Sequence, residues 1–237
     1  MELKIQKCAV LSFSRSQDVI RFDYSLDDSA LKHVTSIRDL RVVVNTHFNP
    51  HDHVSHICNK AIAMLGFVLR ASKNFRSANT LDFLYRTVIR PILEYASIVW
   101  SPYYKTHIEA IKRIKTRGLR IHGLHLGVQY MDAPVAELRR SLDLAPLQER
   151  KRTDDLIFLY KIVNGDTDCS KLTKLLDYSV PRGPRLRDIF GRRIQNKRYS
   201  YMSSIPRVSR EGNLRDNSID ILGSFCDAFK PKVQNSL

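Results

Sequence analysis

The chain has 237 residues and a hydrophobic content of 43%, enough for one domain or two small ones with a real core, which excludes wholesale disorder. Its formal net charge of +15 predicts attraction to a polyanion, nucleic acid first and an anionic membrane surface second. Cys8, Cys58, Cys169 and Cys226 stand far apart with no CxxC pair, so neither a zinc knuckle nor a disulfide framework is signalled, and free thiols are expected.

Charges interrupt the N-terminal MELKIQKCAVLSFSR too early for a signal-peptide core. The longest apolar stretches, such as Ile92 to Trp100, are far short of a membrane span. A soluble intracellular protein, cytoplasmic or nuclear, is the expectation, with no membrane partner and no small-molecule substrate.

The first fifty or so residues read as short antiparallel strands. Lys7 to Ser14 contains CAVLSFS. Val19 to Tyr24 alternates Ile20, Phe22 and Tyr24 against Arg21 and Asp23, a period of two. Val42 to Val44 is a β-branched run after Asp39. From Val54 the period becomes helical: Ile57, Ala61, Met64 or Leu65, and Val68 form one stripe. After Arg76 to Asn79, a second helix shows Leu81, Leu84, Tyr85, Val88, Ile92, Ala96 and Val99 on one face through Trp100, with Pro91 predicted to kink or restart it. A third runs from about Thr106 to Ile121. Its buried stripe is Ile108, Ile111, Ile114, Gly118 and Ile121, and Gly118 weakens it by about 1 kcal/mol relative to alanine. A loop with Gly123 and Gly127 leads to a short helix near Val135 to Leu142. A longer helix follows from about Leu147 to Val163, with Leu156, Tyr160 and Val163 on one side and Asn164-Gly165 as a stop. Beyond Asp166, prolines, glycines and basic residues break any period. That segment is expected to be poorly packed, with one terminal helix from Ser218 to Phe229.

Read together, the segments KCAVLSFSR (Lys7 to Arg15), IRFDYSL (Ile20 to Leu26), SIRDLRVVVN (Ser36 to Asn45), HICNKAIAMLGFVLR (His56 to Arg70), FLYRTVIRPILEYASIVWSPYY (Phe83 to Tyr104), HIEAIKRIKTR (His107 to Arg117) and FLYKIVNGDTDC (Phe158 to Cys169) resemble a known family. In order and spacing they are similar to the region after the catalytic motif of reverse transcriptases from non-LTR retrotransposons, especially the insect jockey-type elements. The resemblance covers about Lys7 to Cys169 and is most specific in LEYASIVWSP and NKAIAMLGF. It implies that residues 1–48 are the end of a polymerase palm, with a primer-grip-like hairpin at Arg38, Asp39, Leu40 and Arg41. It implies a thumb-like helical domain at 49–165, packed along a template–primer duplex, and leaves 166–237 as a basic C-terminal segment. The chain departs from the family pattern at Arg41, where glycine is usual, at Asn45, where aspartate is usual, and at Gly118, where a large residue is usual. Such departures fit a decaying copy of a mobile element.

Polymerases of this kind hold two divalent ions on paired carboxylates. The resemblance places that set before the KC segment, upstream of Met1, so no catalytic residue is expected in this chain. No cofactor is expected either, magnesium belonging to a complete parent polymerase. Asp27-Asp28 in YSLDDS is the tempting pair, but two aspartates between strands are more simply turn residues. His47, His51, His53 and His56 suggest a transition metal, but no cysteine or acidic residue other than Cys58 or Asp52 is placed to complete a tetrahedral set there, and a polar loop and helix start is the reading taken. Trp100, Tyr103 and Tyr104 offer stacking surfaces, although they end an apolar helix face and core packing is preferred. Phosphate contacts are additive and sequence-blind. They are therefore assigned to Lys112, Arg113, Lys115, Arg117 and Arg120 on the third helix and to Arg192, Arg193, Lys197 and Arg198 in the tail.

The fold class expected is α+β: a small antiparallel strand region, a helical thumb-like bundle and a basic, partly irregular tail. The function expected is a fragment of an RNA-directed DNA polymerase that binds RNA or DNA by its backbone without copying it. The alternatives are a non-enzymatic helical module for RNA or protein, and a mobile-element remnant with no function.

Overall fold

The computed structural model describes residues 4–16, 22–72, 78–142, 144–179, 188–191, 194–214 and 221. The class is α+β, as expected. The expected terminal helix at Ser218 to Phe229 lies, but for Ile221, outside the described residues, as do Cys226, Arg192 and Arg193. None of the described helices is long and apolar enough to cross a membrane. Two compact units form, one from residues 1–95 and 104–127, the other from 96–103 and 128–237. They follow packing, whereas the segments 1–48, 49–165 and 166–237 follow the family resemblance.

In the first unit a 3-10 turn at Ile5–Lys7 precedes β1 (Ala9–Val10). β2 (Ser25–Leu26) and β3 (Ser29–Ala30) form an antiparallel hairpin, and β4 (Lys32–His33) follows. The hairpin turns on Asp27 and Asp28, both at positive φ (48° and 58°), the type I′ geometry that aspartate tolerates better than most side chains. β4 lies parallel to β1, with Ala9 opposite Lys32. This corrects the expectation of antiparallel strands throughout. The expected strand at Val19 to Tyr24 also does not form where it is described: Phe22 and Tyr24 lie outside any strand and are exposed. β5 (Ser36–Asp39) and β6 (Val42–Asn45) pair antiparallel, with Arg38 opposite Val43 and Asp39 opposite Val42.

Helix α1 (His51–Ala71) buries Val54, Ile57, Cys58, Ala61, Leu65 and Val68, which is the expected stripe with Leu65 rather than Met64 inside. β6, α3 and α5 all pack on it. Burial raises the pKa of the Cys58 thiol, so it is a packing group rather than a nucleophile.

The second expected helix is interrupted twice. α2 (Ala78–Leu84) passes into a π-helical turn at Tyr85–Ile89, then α3 (Arg90–Glu94), with Pro91 near its start. A π turn inserts residues relative to an α-helix and rotates everything after it. The buried positions after Leu81 are accordingly Ile89 and Leu93 instead of Val88 and Ile92. Ala96 then takes a left-handed conformation (φ 54°), ending the run before α4 (Ser97–Trp100). Val99, expected inside, is exposed, while Ser97 and Trp100 are buried.

α5 runs from Lys105 to His125, longer at its C-terminus than expected. Gly118 is needed for close approach, since a Cβ there would meet Tyr85 Cε2 at 2.8 Å. The Tyr85 ring thus occupies the space that a large side chain at 118 would need.

The second unit is built on α7 (Leu147–Val163), bounded as expected; the short α6 (Val135–Ser141) precedes it. Leu156, Leu159, Tyr160 and Ile162 form a core with Leu176, Phe190, Val208 and Ile221. The described part of the segment beyond Asp166 is therefore not poorly packed, which corrects the expectation. α8 (Ser170–Leu175), α9 (Arg198–Tyr201) and α10 (Ser204–Asn213) lie in it, and α10 packs on α7. Ile205, Val208 and Gly212 supply the helical stripe of α10 amid Arg207, Arg210 and Glu211. Pro206 is tolerated because the N–H it lacks lies in the first turn. At Gly212 an added Cβ would come 2.5 Å from Leu159 Cδ2, so the glycine permits a close approach of the two helices there. The Asn213 amide clasps Phe190, accepting from its N–H at 3.0 Å and donating to its carbonyl at 2.8 Å.

Candidate nucleic-acid interface

The β5–β6 hairpin turns on Leu40 and Arg41, with φ of 43° and 67°. Positive φ at both central residues again defines a type I′ turn, whose usual occupants are asparagine and glycine. Arg41 therefore holds a strained conformation where glycine would fit, a cost of about 1–2 kcal/mol. Arg38, Asp39, Leu40 and Arg41 are all exposed.

Arg38 and Arg41 line a cleft of about 150 Å³ together with His53, His56, Ile57 and Lys60 of α1, and Pro91, Ile92 and Tyr95 beside α3. The α1 residues fall at i, i+3, i+4 and i+7, one face of the helix. No carboxylate is among the described lining residues. Arg38, Arg41 and Lys60 converge there with the His56 imidazole and the exposed Tyr95 ring, which suits a phosphate with a base beside it. Lys60, His56 and Tyr95 were not anticipated from sequence. The i to i+7 spacing on α1 is visible there, but its meeting with the hairpin depends on tertiary packing.

His53 anchors the hairpin to α1. It is 1% exposed, and its Nδ1 accepts the Val43 N–H at 3.2 Å. Burial first, then the neighbouring His56 and Arg38, push its pKa down to about 4, so it is neutral at physiological pH and acts as a hydrogen-bond acceptor. The other histidines take separate partners. His47 Nδ1 lies 2.9 Å from the Ser14 carbonyl, and His51 Nδ1 lies 3.1 Å from His107 Nε2. No group of three or more histidine, cysteine or carboxylate side chains among the described residues is arranged to hold a metal.

The five α5 cations are not equivalent. Lys112, Arg113 and Arg117 are exposed. Lys115 turns inward to Glu94 at 3.1 Å, both side chains being less than one-fifth exposed, and Arg90 reaches the same carboxylate at 2.8 Å. Arg120 is half-buried. Lys112, Arg113 and Arg117 are thus open to solvent, whereas Lys115 is held by Glu94.

In the second unit Lys197 and Arg198 are exposed at the start of α9. Lys197 Nζ lies 6.0 Å over the Tyr199 ring, and Arg198 donates to the Tyr103 carbonyl at 3.4 Å. Trp100 is buried with Lys151 Nζ 5.0 Å over its ring, the packing role preferred above. Tyr104 is exposed and sets its ring edge-on to His107.

Comparisons with protein-family models, with curated proteins and with solved structures find no match.

Proposed function

We propose that this chain binds nucleic acid through its phosphate backbone, in the manner of the hairpin and thumb of a retrotransposon-type reverse transcriptase, and does not itself copy a template. The observation that carries the proposal is the convergence of Arg38, Arg41 and Lys60 on one cleft with no carboxylate among its described lining residues. A cation not already neutralised by a neighbour releases counterions when it meets a phosphate, which makes binding favourable, sequence-blind and salt-sensitive. The exposed Lys112, Arg113 and Arg117 add to the same unit's charge. The resemblance to jockey-type elements supplies the polymerase context. Asp27 and Asp28 sit in a tight turn rather than in a carboxylate triad, which supports binding without catalysis.

The test is fluorescence anisotropy of the purified chain with duplex and single-stranded oligonucleotides over a salt series, alongside primer extension with magnesium or manganese. Dissociation constants on the order of 10⁻⁴ to 10⁻⁶ M at physiological salt are expected, tightening steeply at low salt, with no extension. Template-dependent extension abolished by Asp27→Ala and Asp28→Ala would refute the non-catalytic reading. A second reading, a helical protein-interaction module, is favoured by exposed apolar groups such as Phe13 and Phe48, stacked at 4.0 Å. It predicts little salt dependence and no retention on duplex at low salt.

A further inference from the structure

The second unit holds a cavity of about 630 Å³ lined by Leu175, Ile205, Pro206 and Leu214 with Tyr201, Asp177 and Arg210 at polar positions. The volume lies within the roughly 300–1,000 Å³ usual for small-ligand sites. Two arginines one turn apart on α10 show how the polar positions differ. Arg207 is heavily engaged: it forks onto Asp155 at 2.8 and 2.9 Å, and donates to the carbonyls of Ile98 and Met202 at 2.8 and 3.1 Å. The Arg210 guanidinium has no hydrogen bond or ion pair to the described residues. Its guanidinium instead lies 3.5 Å over the Tyr201 ring. Glu211, next in the chain, is turned to Arg152 at 3.6 Å.

Stacking on tyrosine fixes the plane of a guanidinium without occupying its N–H donors. Burial pulls the Arg210 pKa down, Tyr201 and then Glu211 oppose it, and the nearby Arg207 adds a last, smaller push downward. The group stays charged, but in a site where its charge is poorly solvated, and an anion in the cavity would relieve that. Asp177 on the same lining disfavours a ligand with several negative charges. The apolar wall asks for a flat, weakly polar body. One anionic group and a flat body together describe a nucleotide.

We infer that this cavity takes a single nucleotide, its phosphate on Arg210 and its base against the wall formed by Ile205 and Leu214. The choice of a nucleotide over other anions rests on the nucleic-acid reading above. The ligand is either one unpaired nucleotide of a bound strand or a free nucleoside monophosphate, and the same contacts serve both.

The experiment is ligand-observed NMR and calorimetry on the full chain with adenosine 5′-monophosphate, adenosine, inorganic phosphate and a 5′-phosphorylated tetranucleotide. The monophosphate is expected to bind at least tenfold more tightly than adenosine or phosphate alone. Arg210→Gln should lower that affinity at least tenfold, and Arg210→Lys should restore part of it. Ile205→Trp, which fills the cavity and leaves Arg210 in place, should abolish binding in a chain whose circular dichroism is unchanged. Tighter binding of the tetranucleotide than of the monophosphate identifies a strand as the ligand; the reverse identifies the free nucleotide. Monophosphate binding no tighter than that of phosphate, or unaffected by Arg210→Gln and Ile205→Trp, overturns the site. A chain that binds duplex but not the monophosphate refutes this inference alone. A chain that binds the monophosphate but not duplex refutes the proposed function and leaves the cavity standing.

Discussion

Two sites, one in each unit, place their cations in opposite ways. Around the hairpin and α1, Arg38, Arg41 and Lys60 face a cleft with no carboxylate among its described lining residues. On α10, Arg207 is locked to Asp155 with side chains 12% and 7% exposed, and reaches two carbonyls besides. The first arrangement leaves positive charge available to a partner; the second uses it to tie α4, α7 and α10 together. Lys115 follows the second pattern inside the first unit, turned to Glu94. A net charge of +15 therefore does not locate an interface by itself. What locates it is where the carboxylates are not.

The contrast can be broken most forcefully at the internal pair. Asp155→Ala leaves a buried guanidinium without its carboxylate and should cost about 3–5 kcal/mol, read as a lowered midpoint in urea denaturation. Arg38→Ala, at an exposed position, should change stability by less than about 0.5 kcal/mol. Equal effects would show that the two arginines are not differently employed.

The anchor beneath the cleft gives a pH dependence of nearly the same size. The folded pKa of His53 is about 4 against an ordinary value of 6.5. The unfolded chain therefore takes up a proton that the folded chain refuses. Stability is full above pH 6.5 and falls as pH drops towards 4, by about 3 kcal/mol at 1.4 kcal/mol per unit. His107 and His122 are shifted downward too, mainly by burial, and act with the same sign. His53→Asn, whose side-chain oxygen can accept the Val43 N–H, should flatten this window in denaturation curves taken from pH 7 to pH 4. An unchanged pH profile would remove His53 from the account.

A smaller effect sharpens the comparison at the turn. Arg41→Gly relieves the left-handed strain and should stabilise the hairpin by about 1 kcal/mol, while removing one phosphate contact. Stability and duplex affinity should thus move in opposite directions. If both fall, Arg41 is held by packing rather than tolerated for its charge.

Much of this was legible in the sequence where local period governs. The stripe of α1 and the bounds of α7 follow from apolar spacing and the strand at Val42 to Val44 from its β-branched run, whereas the hairpin at Arg38 to Arg41 is implied only by the family resemblance. The inside of α2 and α3 was not legible, because the π turn at Tyr85–Ile89 shifts the buried face by one residue and Ala96 then breaks it. The β1–β4 ladder joins residues more than twenty apart and has no local signature. α10 was hidden by Pro206 and by the arginines flanking its apolar positions. Of the cleft, Arg38 and Arg41 were read in advance. Lys60, His56 and Tyr95 were not, since they join the site only through the packing of β6 and α3 on α1.

The most direct test of the central claim is the salt dependence of duplex binding for the wild-type chain and for Arg38→Gln, Arg41→Gln, Lys60→Gln combined, measured by anisotropy between low and physiological salt. Each phosphate contact contributes about −0.9 to the slope of log affinity against log salt. The combined variant should therefore have a slope shallower by about 2 to 3 while keeping the binding that Lys112, Arg113 and Arg117 supply. An unchanged slope in a folded variant, or no binding by the wild-type chain at low salt, would contradict the account.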